Sequence, residues 1–286
     1  MIRGIIVYNK ADAEYNEWFI EHLIEEGQAQ GLFLELKIVD EAGFCEGSYV
    51  FSEASLIKEL RDDNIQFAIV RNRSARLCEE LEALGIRCFN SSKVVKLGND
   101  KWEMYREFSG SRIPVMYTQI SKLPYPFVMK PRSGHGGENV FLIKNAEEYE
   151  GVVSSLPEDR LQEFIYQMPA SEKGRDIRVY VVGDTILTAM ERSAADSNSD
   201  FRANFSLGGS AREHALTEDE LKVAARVADY LKPDFIGIDL IYNNGKPVVN
   251  EIEDAVGTRM LYAHTDIDAV REYISWIKKS LLKGNE

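Results

Sequence analysis

Two strand-like runs, Phe235 to Tyr242 and Pro247 to Ile252, flank an Asn243-Asn244-Gly245 turn late in the chain. An Asn-Gly step between apolar runs is a strong short-range hairpin signal, because both residues tolerate the left-handed backbone of a tight turn. Folding this hairpin sets Asp239 opposite residue 250 or 251, depending on turn type. Glu251 and Glu253 are two apart, so they project from one strand face. Carboxylates therefore converge in a segment that otherwise reads as buried and apolar. Such a group repels itself and raises its own pKa values unless a cation or strong donors compensate. A hard divalent ion held through carboxylate oxygens, most often with a nucleotide's phosphates, is one economical answer. A solvated acidic hairpin edge is the other.

The remaining composition narrows the setting. The chain has 286 residues, 44% hydrophobic and 28% charged, enough for two packed domains. No run approaches the roughly 20 apolar residues of a membrane span. The opening Met1 to Val7 is too short and strand-like for a signal peptide. A net charge of −13 disfavours nonspecific nucleic-acid binding. Cys45, Cys78 and Cys88 form neither a CxxC pair nor a disulfide framework, so free thiols and no export signal point to the cytoplasm.

The first ninety or so residues alternate strand and helix. Strands are expected at Ile2 to Tyr8, Leu32 to Val39, Ile65 to Val70 and Ile86 to Phe89. Helices are expected at Ala11 to Gln28, Ser52 to Arg61, and after a Ser74 cap. That alternation argues for a small, mostly parallel α/β domain over residues 1–92. From Lys93 the pattern changes, and residues 93–286 form a second domain. A helix runs through Asp100 to Met104, followed by strands in hairpin-like succession at 126–131, 139–144, 161–165, 177–182 and 185–191. Ser193 to Arg212 is polar and contains glycines, a candidate mobile loop. Thr217 to Glu220 is a capping box ahead of the next helix, and a last helix spans Asp268 to Leu282.

Candidate chemistry gathers in this second part. Phe127 to Lys130 is a strand ending in a lysine, followed by Ser133-Gly134-His135-Gly136-Gly137. Glycines let backbone N–H groups approach phosphate oxygens, and Lys130 adds a point charge. An ordinary hairpin turn is the plainer alternative. Gln162-Glu163-Phe164-Ile165 ends before a polar stretch and could present backbone groups to a base. Asp176 and Arg178 share one strand face, and Arg192, Arg202 and Asn204 flank the candidate loop, which suggests a phosphate clamp in an acidic protein. No dinucleotide G-x-G-x-x-G fingerprint, P-loop or nucleophile–base pair is present.

Taken in order, these segments resemble the ATP-grasp superfamily and, within it, the RimK-like ligases that attach glutamate or similar amino acids to a carboxylate. The match runs from about Asn90 to Gly257. It includes Asp100-Lys101, the Lys130 strand and glycine loop, Gln162 to Ile165, Gly174-Arg175-Asp176-Ile177-Arg178, Phe201-Arg202-Ala203-Asn204, Gly208-Gly209, Gly237-Ile238-Asp239 and Glu251. The resemblance implies a fold in which residues 1–92 precede an ATP-grasp domain with mostly antiparallel sheets. It implies that Lys101 and Lys130, with the loop Ser133 to Gly137, contact ATP phosphates. Gln162, Glu163, Phe164 and Ile165 would meet the adenine, and Asp176 the ribose. Arg178, Arg192, Arg202 and Asn204 would form the catalytic set near the terminal phosphates, while Asp239, Glu251 and Glu253 would hold magnesium, or manganese in its place. The implied chemistry is an acyl-phosphate made from ATP and a small-molecule or peptide carboxylate, then captured by an amino-acid amine. A homo-oligomer is compatible with this pattern; nucleic acid and membrane are not expected partners.

One departure stands out. The family usually ends with Glu-x-Asn-x-x-Pro-Gly, whereas this chain reads Glu251-Ile252-Glu253-Asp254-Ala255-Val256-Gly257. Glutamate replaces the usual metal-binding asparagine, and the proline is missing. A phosphotransferase and a non-catalytic nucleotide-binding module are the alternative readings.

Overall fold

The computed structural model describes residues 2–40, 43–45, 48–61, 63–134, 137, 139–172, 174–194 and 210–283. The chain begins with β1 (Ile2–Tyr8), α1 (Lys10–Tyr15), α2 (Glu17–Ala29) and β2 (Leu32–Ile38). A small hairpin of β3 (Gly43–Cys45) and β4 (Ser48–Val50) precedes α3 (Glu53–Leu60), β5 (Phe67–Val70), α4 (Ala75–Ala83) and β6 (Arg87–Cys88). The strands β2-β1-β5-β6 form a parallel sheet, as the strand–helix alternation predicts. Burial on both faces explains why β5 reads as an uninterrupted apolar run.

The helix expected over Ala11 to Gln28 is two helices. Asn16 breaks it at φ −115°, and its side-chain amide donates to the Asp12 carbonyl at 2.7 Å. Local side-chain bonding of this kind competes with helix continuation. Ser74 caps α4 as expected, and Ser52, the first residue of the helix expected from sequence, caps α3 instead.

After α5 (Ser92–Asn99) and α6 (Lys101–Gly110) come β7 (Thr118–Gln119), β8 (Phe127–Pro131), β9 (Phe141–Ile143), α7 (Ala146–Ser155) and β10 (Phe164–Gln167). These strands form an antiparallel sheet ordered β7-β10-β8-β9. Two expectations change here. Helix α7 interrupts what reads as a run of strands, with Asn145 accepting the Glu148 N–H as its cap. Glu158–Glu163 is a 3-10 turn, so Gln162 and Glu163 precede the strand.

The third sheet is antiparallel, ordered β13-β12-β11-β14-β15. Its members are β11 (Arg175–Val182), β12 (Thr185–Ser193), β13 (Ser210–Glu213), β14 (Phe235–Asn243) and β15 (Lys246–Glu253). β13 shortens the candidate loop at its far end. Helix α8 (Glu218–Leu231) follows β13, and α9 (Arg259–His264) and α10 (Ala269–Lys283) close the chain. The apolar face of α8 (Val223, Ala224, Val227 and Leu231) shares a core with Ile177, Val179, Ile236 and Ile238 of this sheet. Each fully buried valine, leucine or isoleucine of this core contributes about 1.5–3 kcal/mol.

Tyr273, Ile274 and Ile277 of α10 share a second core with Phe19 and Leu23 of α2 and Tyr180 of β11. Gly183 makes that approach feasible. It holds φ +57°, and a Cβ there would lie 2.4 Å from the Trp276 ring. Among the described residues, no helix is long and apolar enough to cross a membrane.

Candidate active site

The β14–β15 hairpin turns through Asn244 at φ +53° and Gly245 at φ +73°. Asn243 pairs with Lys246, a two-residue loop, and that register on its own sets Asp239 against residue 250. A β-bulge between Leu240 and Asp239 shifts the pairing by one, so Asp239 faces Glu251 and Asn250 is the extra residue. Glu253 lies two further along. Oxygens of Asp239, Glu251 and Glu253 fall within 4.8 Å of one another. Asp239 is fully buried, and the two glutamates keep about a quarter of their side-chain surface.

Arginines from the neighbouring strands compensate this charge. Arg178 sits opposite Asp239 in the β11–β14 pairing and donates Nε and Nη2 to its two oxygens at 2.8 and 2.7 Å. The same Nη2 reaches Glu253. Arg192, opposite Asp176 on β12, donates to both Asp176 oxygens at 2.6 and 2.8 Å and to Asp239 at 2.6 Å. Burial alone would raise the Asp239 pKa, but the two guanidiniums prevail and hold it at about 2. Asp176, read from sequence as a ribose ligand, therefore lies in line with the carboxylates, buried and engaged by Arg192.

Two lysines approach from the other side. Asp100 caps α6, accepting the Glu103 N–H, so the helix opens on Lys101. Lys101 Nζ donates to the Gly134 carbonyl at 2.5 Å and lies 3.5 Å from Glu251. Arg132 stitches three segments together. Its side chain grips Asp100 at 2.7 and 2.6 Å, its carbonyl accepts the Lys101 N–H, and its own N–H donates to the Glu163 carbonyl.

Lys130 sits on β8 opposite Ile165 of β10, with 5% of its surface exposed. Its Nζ donates to the Tyr105 hydroxyl at 2.8 Å and to Asn250 Oδ1 at 3.3 Å. Burial lowers its pKa to about 8, with Glu251 opposing the drop. Tyr105 also donates to the Asn250 carbonyl. Sequence reasoning missed Tyr105 and Asn250. Tyr105 was findable as the residue four beyond Lys101 on the same helix face; the bulge at Asn250 left no sequence signal.

Phe164 and Ile165 are buried and pair with β8, while β7 pairs only with Tyr166 and Gln167. Glu163 is exposed, and its side chain accepts from Arg160 Nε at 2.6 Å. Gln162, Ser133 and Gly134 are exposed, and Gly134 and Gly137 hold positive φ. His135, Gly136, Arg202 and Asn204 lie outside the described residues.

Two lysines, three clustered carboxylates and a glycine-bearing strand connection thus face one space. The RimK-like ATP-grasp domain model matches residues 112–277, more than half of the chain, and the chain belongs to that family. An uncharacterized Mycoplasma pneumoniae protein, the MG011 homolog, is 30% identical over 91% of this chain and 86% of its own length. A Mannheimia succiniciproducens protein named probable alpha-L-glutamate ligase is 29% identical over 70% of each chain. The fold also matches the crystal structure of D-cycloserine synthetase DcsG at a TM-score of 0.71, with 16% identity and 98% and 99% of the two chains covered.

Proposed function

We propose that the protein is an ATP-dependent ligase joining a carboxylate to an amine, with residues 93–286 as its nucleotide- and metal-binding domain after a preceding domain of residues 1–92. The observation that carries this reading is the 3.5 Å approach of Lys101 to Glu251, which brings the phosphate-side lysines and the carboxylate cluster to one place. Lys101 and Lys130 neutralise phosphate charge, and glycine-loop N–H groups add donors. The backbone of Phe164 and Ile165, beyond the reach of β7, would meet the adenine. Hard oxygens of Asp239, Glu251 and Glu253 fit magnesium, which when bound would offset phosphate charge. Arg178 and Arg192 hold Asp239 ionised and fixed.

In the reaction, a substrate carboxylate oxygen attacks the γ-phosphorus, and ADP leaves with the electrons of the broken P–O bond. The amine then attacks the acyl carbon, phosphate leaves, and the amine proton goes to solvent. Little covalent work falls to the protein, whose task is alignment and charge neutralisation. The relative named as a glutamate ligase makes glutamate a first amine to test.

The test is ADP release from Mg-ATP against pools of amino acids and peptides, followed by mass spectrometry. A new amide is the expected product. A phosphorylated alcohol would assign a phosphotransferase instead, and ATP binding without turnover a non-catalytic module.

A further inference from the structure

Helix α6 shows one face to β15. Lys101 lies 3.5 Å from Glu251, and Tyr105, one turn further along, donates to the Asn250 carbonyl. A regular strand would point the side chains of Asn250 and Glu251 to opposite faces. At the bulge, Asn250 Oδ1 instead reaches Lys130 while Glu251 reaches Lys101. The Tyr105 hydroxyl thus joins two sheets, touching Asn250 in the five-stranded one and Lys130 in the β7-β10-β8-β9 sheet.

The direction of these bonds follows from counting protons. A tyrosine hydroxyl has a single hydrogen, and an ammonium can only donate. Lys130 Nζ is 2.8 Å from the Tyr105 oxygen, so that oxygen accepts from the lysine and directs its own hydrogen to the Asn250 carbonyl. Lys130 has three N–H donors. Tyr105 takes one, Asn250 Oδ1 takes another at 3.3 Å, and no third acceptor lies within hydrogen-bonding reach among the described residues. Tyr105 is also a core residue, 2% exposed and clustered with Val94, Met104 and Phe108. Packing alone would be served by phenylalanine, because a buried hydroxyl carries a desolvation cost that only its partners offset.

We propose that Tyr105 is a positioning residue: its hydroxyl, backed by the Asn250 bulge, fixes the Lys130 ammonium so that the remaining N–H is left for a nucleotide phosphate. The role rests on the nucleotide reading above. It makes the seat of the phosphate lysine depend on the same bulge that sets Glu251 opposite Asp239. The cationic and anionic walls of the site are then placed as one unit.

The test is calorimetric titration of the full chain with magnesium and a non-hydrolysable ATP analogue, arranged as a double-mutant cycle. Tyr105→Phe keeps the ring, whose centre lies 5.0 Å from Lys130 Nζ, and removes only the hydroxyl. It should weaken analogue binding roughly five-fold or more in the parent background and less than about two-fold in Lys130→Ala. A residue acting through Lys130 has nothing to position once the amine is gone, so the two effects cannot add. Asn250→Ala, at a half-buried position, should follow the same pattern and decides alone if Tyr105→Phe does not fold. Parental affinity in Tyr105→Phe would overturn the role. Equal losses in the two backgrounds would overturn it too, since they mark a packing effect that does not pass through Lys130. A parent chain that binds no analogue would remove the nucleotide reading itself. That result is separate from a parent that binds and a Tyr105→Phe variant that binds equally well.

Discussion

Lys130 is a cation kept from water by β8, β10 and Tyr105, with hydroxyl and amide oxygens as its near neighbours. A buried lysine without a tight ion pair is costly, and an incoming phosphate would relieve that cost. Lys130→Ala should lower Mg-ATP-dependent turnover at least 100-fold, on the scale of removing one charge-stabilising donor, while the circular-dichroism spectrum is unchanged. Lys122→Ala, a lysine resting over the Tyr125 and Tyr149 rings, is the control and should match the parent. Equal turnover in the two variants would show that Lys130 has no role. At Glu253, an asparagine still offers an oxygen to magnesium. Glu253→Asn should keep measurable turnover at raised magnesium, and Glu253→Ala should lose most of it. Full magnesium-dependent turnover in the alanine variant would remove Glu253 from the metal site.

Single elements set the site through their ends and irregularities. Helix α8 opens on a complete capping box, in which Thr217 accepts the Glu220 N–H and Glu220 accepts the Thr217 N–H. Thr217→Ala should cost about 1 kcal/mol, measured by urea unfolding. Glu220 also accepts from Tyr242 of β14 and lies 3.0 Å from His214, tying the helix to the sheet behind the carboxylates. Burial alone would raise its pKa, but the Tyr242 hydroxyl and the other donors lower it from 4.5 to about 2. The unfolded chain takes up this proton first as pH falls, so the stabilisation is complete above pH 4.5 and is lost toward pH 2. Glu220→Gln should therefore be less stable than the parent at pH 7, with the difference shrinking between pH 4.5 and 2. A constant difference across that range would contradict the assignment.

At the scale of the molecule, the lysines and the carboxylates come from different sheets. Lys130 belongs to the β7-β10-β8-β9 sheet, Asp239 and the glutamates to the five-stranded one, and Lys101 to the helix between. A nucleotide bound as proposed would span them, link those parts and stabilise the whole fold. Mg-ATP at 100 times its dissociation constant should add roughly 2.7 kcal/mol and raise the thermal midpoint, whereas NAD should leave it unchanged. A shift with NAD and none with Mg-ATP would reverse the nucleotide assignment.

Local chemistry made much of this legible. The Asn243-Asn244-Gly245 turn, the serine and threonine caps, and the alternation of β1 to β6 with helices act between near neighbours, so sequence carries them. The break at Asn16 and helix α7 were local too, but weak propensities left them undecided against longer patterns. What sequence could not show lies between strands. The Asn250 bulge depends on how β15 seats against β14, and it moves Glu251, not Asn250, opposite Asp239. The pairing of Arg178 and Arg192 with Asp239 and Asp176 needs β11 placed between β12 and β14, and Arg178 and Asp239 are 61 residues apart in the chain. That placement turns a repulsive carboxylate group into a compensated one. Sequence by itself determined which groups are present and which turns and caps form, because those interactions are local. Only the tertiary structure decided which charges face one another, because a one-residue change of register or a different strand neighbour would redirect every side chain at the site.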